Sequence, residues 1–424
     1  MTSPRPPAPP SDPHRFRLKG QNAESFLHAL AKKSFLIDWC FPNPRLPDGK
    51  ELCDLLVVFD HTAIIWQAKD LKLNRHGKYK ASEVRKNLSQ VSGAHRQLLE
   101  LKSPIDLENA RRGKERFDPS AINEVFLISA LLGEGEDAFP MTEETKTHIV
   151  HVFTREFSEI ALNELDTISD FLAYLRAKEG LLAASTASMF VMGGEQTLLA
   201  YYLLNDRSFD RIKDFHSVAL EDGLWAELQT DARYLAKKQA DRVSYAWDSD
   251  IIGRVHEGSS RYEIVARELA RPNRFERRAL AENFLGAHTV AHNDTVHQIL
   301  RRVTVSKTAT REKETTYCFL FMDASIPEDE RRKMLECFCL VARQRFPKNS
   351  RVMGIATEKE FASSCSYDYI LLDVPTWTAE HEQLATLYAG QLGILRDPVV
   401  SETSGVEYPD PAAGPPQLPG AEGN

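Results

Sequence analysis

Two short apolar runs of this sequence carry polar side chains whose types and spacing could act together on a phosphate ester. The runs LCDLLVVF and TAIIWQAK flank Asp60-His61, a pattern that predicts a two-residue β-hairpin. With that loop, Asp54 lies directly opposite Gln67, and Lys69 points to the same face of the sheet. Because an unpaired charge buried in a strand costs on the order of several kcal/mol, these polar residues need a reason to be there.

These polar groups suit a hard divalent cation, since Mg²⁺ prefers oxygen ligands and keeps several waters. Asp54 would bind Mg²⁺ or Mn²⁺ directly. The side-chain oxygen of Gln67 and the backbone carbonyl of Ala68 would fill further positions. Lys69 would hold or deprotonate the attacking water, or stabilise the charge that builds on a phosphate. Metal-assisted hydrolysis of a phosphodiester is the reaction that needs these parts together.

The pattern of these residues resembles a known nuclease superfamily. Asp54 is followed thirteen residues later by Gln67-Ala68-Lys69 on an adjoining strand, which is similar to the PD-(D/E)XK nucleases with their restriction-endonuclease-like fold. The Gln-x-Lys form resembles the Mrr-like branch, in which glutamine stands in for the second acidic residue. The resemblance covers roughly residues 18–155.

The resemblance implies two further site residues. A glutamate on the first helix often joins the metal shell in such families, and Glu24 occupies the matching place. The helix after the motif commonly carries a polar residue near the site, for which Gln90 is the candidate. Glu24 also follows Asn22, a good N-cap, where an acidic side chain suits the helix dipole, so a purely structural role stays open.

The function that the resemblance implies is metal-dependent cleavage of nucleic acid, with DNA preferred to RNA, in restriction or phage defence. Two features keep an alternative open. Gln67 is neutral and binds Mg²⁺ less strongly than a carboxylate, and no proline stands next to Asp54. The alternative is a catalytically degenerate nuclease-fold module that binds nucleic acid or a protein partner without cleavage.

The net charge conceals a basic segment. The chain has 424 residues, with 53 Lys+Arg against 61 Asp+Glu and a formal net charge of -8. Between Lys69 and Arg116 there are 13 Lys+Arg against 6 Asp+Glu, a local balance of +7 that leaves -15 for the rest. Cations and aromatic side chains in one segment are typical of nucleic-acid binding. The residues expected to contact nucleic acid are Lys72, Arg75, Lys78, Lys80, Arg85, Lys86 and Gln90.

The elements that must position these residues follow from hydrophobic periodicity. The pattern predicts the mixed α/β (α+β) class, with a central mixed sheet flanked by helices around the motif. Strand and helix signals alternate again near the C-terminus, whereas the middle is dominated by helical spacing. The predicted regions are a disordered tail (1–15), the nuclease-like domain (16–180), a helical region (181–304), a small α/β domain (305–396) and a second tail (397–424).

Composition excludes several classes of protein. No stretch approaches the roughly 18 apolar residues of a membrane span, and the N-terminus has no apolar run like that of a signal peptide. The six cysteines form neither a dense disulfide framework nor a CxxC pair, which is typical of reduced thiols. We therefore expect a cytoplasmic protein without a membrane partner. A homo-oligomer or a partner protein would contact it through the C-terminal α/β domain.

Two other motifs favour ordinary structural roles. His288 and His292 in HTVAH could place two imidazoles on one helix face, but the segment lacks the glutamate of HExxH. Met192-Gly193-Gly194 is too short for a phosphate-binding loop, and GxxxxGK[ST] does not occur in the sequence.

Overall fold

The computed structural model describes residues 23–71, 79–133, 142–144, 148–184, 188–213, 215–256, 262–305, 315–360, 365–396, 398–399 and 405–411. The chain divides into two compact units, an N-terminal unit that ends at Asp231 and a C-terminal unit that begins at Ala232. All six cysteines are free thiols. Within the described residues, no helix is long and apolar enough to cross a membrane.

The N-terminal unit is built around strands that pair into one large sheet. Its helices and strands, in chain order, are α1 (Ala23–Lys32), β1 (Cys40–Pro42), β2 (Leu55–Phe59), β3 (Thr62–Lys69), α2 (Ala81–Glu100), β4 (Ile105–Asn109), β5 (Gly113–Phe117), β6 (Glu124–Leu131), β7 (Thr142–Glu144), β8 (Ile149–Thr154), α3 (Arg155–Glu164), α4 (Ile168–Ala184), β9 (Ser188–Val191), α5 (Glu195–Leu204), α6 (Asp210–Lys213), β10 (Ser217–Leu220) and α7 (Leu224–Thr230).

The main sheet has six strands in the order β1-β2-β3-β6-β8-β7. The β1–β2 and β2–β3 pairs are antiparallel, and β3, β6 and β8 are parallel to one another. The helix α2 makes the crossover from β3 to β6, as a parallel pair requires. The predicted mixed α/β class, with a central mixed sheet, is confirmed.

Both faces of this sheet are covered. On one face, Val91, Ala94 and Leu98 of α2 share a hydrophobic cluster with Leu56 and Ile65. The opposite face carries Trp66, which is fully buried. Its ring packs against those of Phe153 and Phe171, with centroid distances of 5.7 Å and 6.0 Å. Strands covered on both faces are continuously apolar, which explains the unbroken run LLVVF of β2.

The hairpin between β2 and β3 has the predicted register. Leu55 pairs with Trp66 and Phe59 pairs with Thr62, so the loop consists of Asp60 and His61 alone. Asp60 takes a φ of 53°, a left-handed conformation that aspartate tolerates better than most residues. Asp54 and Gln67 are therefore the residues that lie directly beyond the last pair of the ladder, Leu55–Trp66.

The C-terminal unit holds a four-stranded sheet in the order β11-β12-β13-β14, with β12 and β13 parallel and the outer pairs antiparallel. Its helices and strands are α8 (Ala232–Ala240), α9 (Gly253–His256), α10 (Glu263–Ala270), α11 (Arg274–Asn293), β11 (Ile299–Val305), β12 (Thr315–Met322), α12 (Glu328–Arg345), β13 (Arg351–Glu358), β14 (Tyr367–Asp373) and α13 (Ala379–Leu392).

The two faces of the second sheet are also covered. Leu335 and Phe338 of α12 share a core with Leu320 and Val352 on one face. On the other face, Phe284 of α11 packs edge-on against Phe319 of β12, with 5.2 Å between the ring centroids. The domain boundaries at 180 and 304 remain sequence predictions.

Part of the region predicted as a C-terminal tail packs against the second unit. Within residues 405–411, the backbone carbonyl of Val406 accepts a hydrogen bond from Arg278 at 2.6 Å. The carboxylate of Glu407 lies 3.6 Å from Lys237. Two basic side chains therefore hold this short stretch despite its low apolar content. Residues 1–22 and 412–424 lie outside the described residues.

Candidate active site

The candidate site lies where the ladder between β2 and β3 ends. Beyond the last pair, Leu55–Trp66, Asp54 turns its carboxylate onto β3 and accepts a hydrogen bond from the backbone N–H of Ala68 at 2.6 Å. A strand residue points its N–H and C=O to the same side. The Ala68 carbonyl therefore also points toward the side on which Asp54 lies. The Gln67 side chain hydrogen bonds to the same carboxylate.

Asn43, a residue that sequence reasoning missed, links the helix α1 to Asp54. Asn43 directly follows β1, and its backbone N–H donates to the carbonyl of Asp54 at 3.0 Å. The side-chain amide of Asn43 donates to Glu24 at 2.7 Å. His28, one turn along α1, has its Nε2 3.4 Å from the Asp54 carbonyl. Glu24 and Asp54 are thus held on either side of Asn43.

The charges around Asp54 are predominantly negative. Burial, with a smaller contribution from the carboxylates of Glu51 and Glu24, raises the pKa of Asp54 from 3.8 to about 6. The hydrogen bonds from Ala68 and Gln67 oppose this rise. Like charges near a half-buried carboxylate disfavour its ionised form. A cation bound here would relieve that repulsion.

Lys69 lies at the end of β3 and pairs with a residue of α2. Its Nζ is 3.6 Å from Oε2 of Glu83, and the two side chains are 29% and 44% exposed. Glu83 stands in the first turn of α2. Sequence reasoning missed it because the rotation of α2 about its own axis decides which acidic residue faces β3. The ion pair keeps the ammonium beside the sheet.

A buried asparagine connects α2 to β3 and β6. Asn87 is fully buried, and its amide donates to the Gln67 carbonyl at 3.2 Å and to Ser129 Oγ at 2.9 Å. The sequence signal was its spacing of four from Val91, which places it on the apolar face of α2. Gln90, the polar residue expected near the site, is exposed.

The expected nucleic-acid contacts fall into two groups. Lys80, Arg85 and Lys86 are exposed on the first turns of α2, the end of the helix that carries Glu83. They therefore extend from the Lys69 end of β3 along the helix. Lys72, Arg75 and Lys78 lie outside the described residues.

The arginines of the β4–β5 hairpin region have acidic partners instead. Arg111 pairs with Asp38 at 2.6 Å, and Arg116 pairs with Asp106 at 2.9 Å. Arg112 is stacked over Trp39, with 5.5 Å between its guanidinium carbon and the ring centroid. Three arginines of the basic segment, Arg111, Arg112 and Arg116, are therefore engaged by partners in this region.

The donor set can be tested against a Mg²⁺ ion. Across the part of the chain that the structure describes, no three His, Cys, Asp or Glu side chains converge as a metal-binding cluster. The site instead offers the Asp54 carboxylate, the Gln67 amide and the Ala68 carbonyl, with the Glu24 carboxylate held by Asn43. Mg²⁺ binds through one or two carboxylates and retains waters, so these residues fit it better than an ion that needs a full protein cage.

The HTVAH histidines do not form a site. The His288 ring stacks on Phe321 at 5.0 Å, and burial lowers its pKa from 6.5 to about 4. Nδ1 of His292 lies 3.3 Å from the backbone carbonyl oxygen of Lys359. These contacts support the ordinary structural role that the sequence favoured.

Comparisons with known proteins give no family assignment. No family model matches the chain, and neither a curated protein nor a solved structure matches it significantly. The function is therefore inferred from the residues and their geometry.

Proposed function

We propose that the N-terminal unit is a metal-dependent nuclease that hydrolyses phosphodiester bonds, of DNA in preference to RNA. The observation that carries the proposal is the hydrogen bond from Ala68 to Asp54. It holds the carboxylate against the backbone of the Gln67-Ala68-Lys69 motif. The order of elements supports a restriction-endonuclease-like domain, since a helix, three antiparallel strands and a crossover helix lead to a parallel strand.

A Mg²⁺ or Mn²⁺ ion would be held by Asp54, the Gln67 side-chain oxygen, the Ala68 carbonyl and Glu24. When bound, it would polarise the phosphate and lower the pKa of a coordinated water. The Gln67 side chain now contacts Asp54, and rotation of its amide would present the oxygen instead. Lys69 would hold the attacking water or stabilise the charged phosphate, after exchanging Glu83 for the substrate.

The substrate path we propose runs along α2. Exposed lysines and arginines contact phosphates without reading sequence, and Lys80, Arg85 and Lys86 are exposed beside the site. We include Lys72, Arg75 and Lys78 in the path on the sequence argument alone. A restriction or phage-defence role follows only from the resemblance to nucleases.

The direct test is cleavage or nicking of DNA by the full chain with Mg²⁺ or Mn²⁺. We expect Lys69→Ala and Asp54→Asn each to lower the rate by about 10²–10⁴-fold, the usual contribution of a positioned acid–base group. The matched control is Lys50→Ala, because Lys50 is an exposed lysine paired with Asp48. Equal cleavage by wild type and Lys69→Ala, with both proteins folded, would remove the proposal.

The second candidate is a degenerate nuclease-fold module that binds nucleic acid without cutting. One observation favours it: both charged residues of the motif already have partners within the protein. The Asp54 carboxylate accepts a hydrogen bond from Ala68, and Lys69 forms an ion pair with Glu83. Such a module would bind DNA with the same affinity in wild type and Asp54→Asn, and neither protein would turn substrate over when metal is added.

A further inference from the structure

A cleft opens in the N-terminal unit, at the other end of the sheet from Asp54. Asn123 and Val125, at the start of β6, line it together with Glu179 and Leu182 of α4, and its volume is about 620 Å³. The β3–β6 ladder runs from Thr62–Glu124 to Lys69–Leu131. At about 3.3 Å per residue, that ladder puts roughly 23 Å between the cleft and Lys69.

Two histidines from distant parts of the sequence meet in the wall of this cleft. His95 lies in the second half of α2, and His148 stands directly before β8. Their ring centroids are 5.0 Å apart, with an interplanar angle of 85°. Nε2 of His148 lies 3.0 Å from Ser92 Oγ on α2. A contact of this kind from an outer partner fixes the orientation of a metal-binding imidazole.

Both rings are held in the form that binds metals. Burial lowers the pKa of His95 and of His148 below the ordinary 6.5, and the neighbouring His148 lowers that of His95 further. Neutral imidazole is the ligand form, and protons compete with the metal for it. Each ring also remains partly exposed toward the cleft, so an ion can reach the pair from solvent.

We propose that His95 and His148 form a two-imidazole site for a borderline divalent metal such as Zn²⁺. A tetrahedral Zn²⁺ at about 2.0–2.1 Å from two imidazole nitrogens keeps the ring centres roughly 5 Å apart, which is the separation of this pair. Since the described residues hold no cluster of three metal-binding side chains, the remaining positions belong to water or to a small ligand in the cleft. The occupied site joins α2 to the beginning of β8.

The metal of this cleft is distinct in kind from the ion proposed at Asp54. Imidazole suits Zn²⁺, Cu²⁺ and Ni²⁺, whereas carboxylate and carbonyl oxygens suit Mg²⁺ and Mn²⁺. Excess Mg²⁺ therefore occupies the oxygen site and leaves the imidazole pair available. The cleft proposal does not rest on the nuclease proposal, and each can fail without the other.

The test is calorimetric titration of the full chain with Zn²⁺ in excess Mg²⁺. We expect one Zn²⁺ per chain, bound at least tenfold more weakly by His95→Gln and by His148→Gln. His61→Gln, an exposed histidine in the β2–β3 turn, is the control and should bind like wild type. Equal affinity of wild type and both site variants would overturn the proposal.

A measurement on the wild type removes the question of whether the variants fold. In a two-dimensional spectrum of histidine rings, one equivalent of Zn²⁺ should move the signals of His95 and His148 and leave that of His61 in place. Zinc that moves other histidine signals, or none, would place the ion elsewhere and would overturn the site.

Discussion

Asp54 lies in an environment unlike that of an ordinary surface carboxylate. It is held by backbone and amide hydrogen bonds while burial and two neighbouring carboxylates raise its pKa to about 6. The strain on this charge is typical of a functional carboxylate, because binding of a cation can recover the lost free energy.

The first prediction concerns the stability cost of Asp54. Because its folded pKa is raised from 3.8 to about 6, its contribution to the free energy of unfolding is complete below about pH 4 and is lost as the pH rises through 6. After discounting for solvent screening, we expect Asp54→Asn to stabilise the N-terminal unit by about 1–2 kcal/mol near neutral pH and not near pH 4. Thermal unfolding at the two pH values measures this.

The control for that experiment is Asp48→Asn. The exposed Asp48 has its pKa lowered by the hydrogen bond from Lys50, so its removal should give no gain near neutral pH. If Asp54→Asn destabilised the protein equally at both pH values, the bond to Ala68 would be a simple structural cap.

The second prediction concerns Asn87. Replacing it with alanine removes both hydrogen bonds and leaves the Gln67 carbonyl and Ser129 without this donor. A buried polar group that loses its partner costs about 1–3 kcal/mol. The free energy of unfolding, measured in urea, should therefore fall by that amount. Ser89→Ala, on the exposed side of the same helix, should unfold like wild type. A shift no larger than that of the control would show that Asn87 does not hold the motif.

At the scale of elements, α2 contacts both polar residues of the Gln67-Ala68-Lys69 motif. Its first turn meets Lys69 through Glu83, its second holds β3 through Asn87, and its exposed side presents the basic residues. The same helix reaches the histidine cleft at its other end through His95. One element therefore connects both proposed sites to the central sheet.

The third prediction tests α2 as a phosphate-binding surface. Changing Lys80, Arg85 and Lys86 together to glutamine should weaken DNA binding and lower the slope of log affinity against log salt by about two to three units. The measurement is a binding titration over a series of salt concentrations. Gln replacement of Arg111 and Arg116, which have acidic partners, should leave the slope almost unchanged. Equal slopes for both variants and wild type would contradict the proposed path.

The sequence alone predicted the elements that depend on local pattern. The two-residue hairpin, its register and the two-sided burial of β2 follow from alternation and turn length, and they are confirmed. The contacts of Glu83, Asn87 and Asn43 could not be predicted. They depend on the rotation of α2 and on the chain path after β1, which tertiary packing decides.

At the scale of the whole molecule, every residue of the proposed nuclease site belongs to the N-terminal unit. Its sheet, its helices and its hydrophobic core are complete within the chain up to Asp231. The C-terminal unit has a sheet and core of its own. We therefore expect the proposed chemistry not to depend on residues beyond 231.

The fourth prediction follows from that division. A fragment ending at Asp231 should unfold cooperatively and should keep the metal-dependent cleavage of the full chain to within a few-fold. The measurements are circular dichroism on heating and a cleavage assay with matched protein concentrations. A folded fragment without activity, beside an active full chain, would show that the C-terminal unit contributes to the reaction.

The position of Trp66 has a consequence for how this chain can vary. Its ring is fully buried between Phe153 and Phe171, and the next residue along the strand is Gln67. A core side chain and a site side chain are thus adjacent on one stiff strand. We expect a substitution that repacks this aromatic cluster to shift the strand that carries Gln67 and Lys69, so that a change in the interior also changes the proposed site.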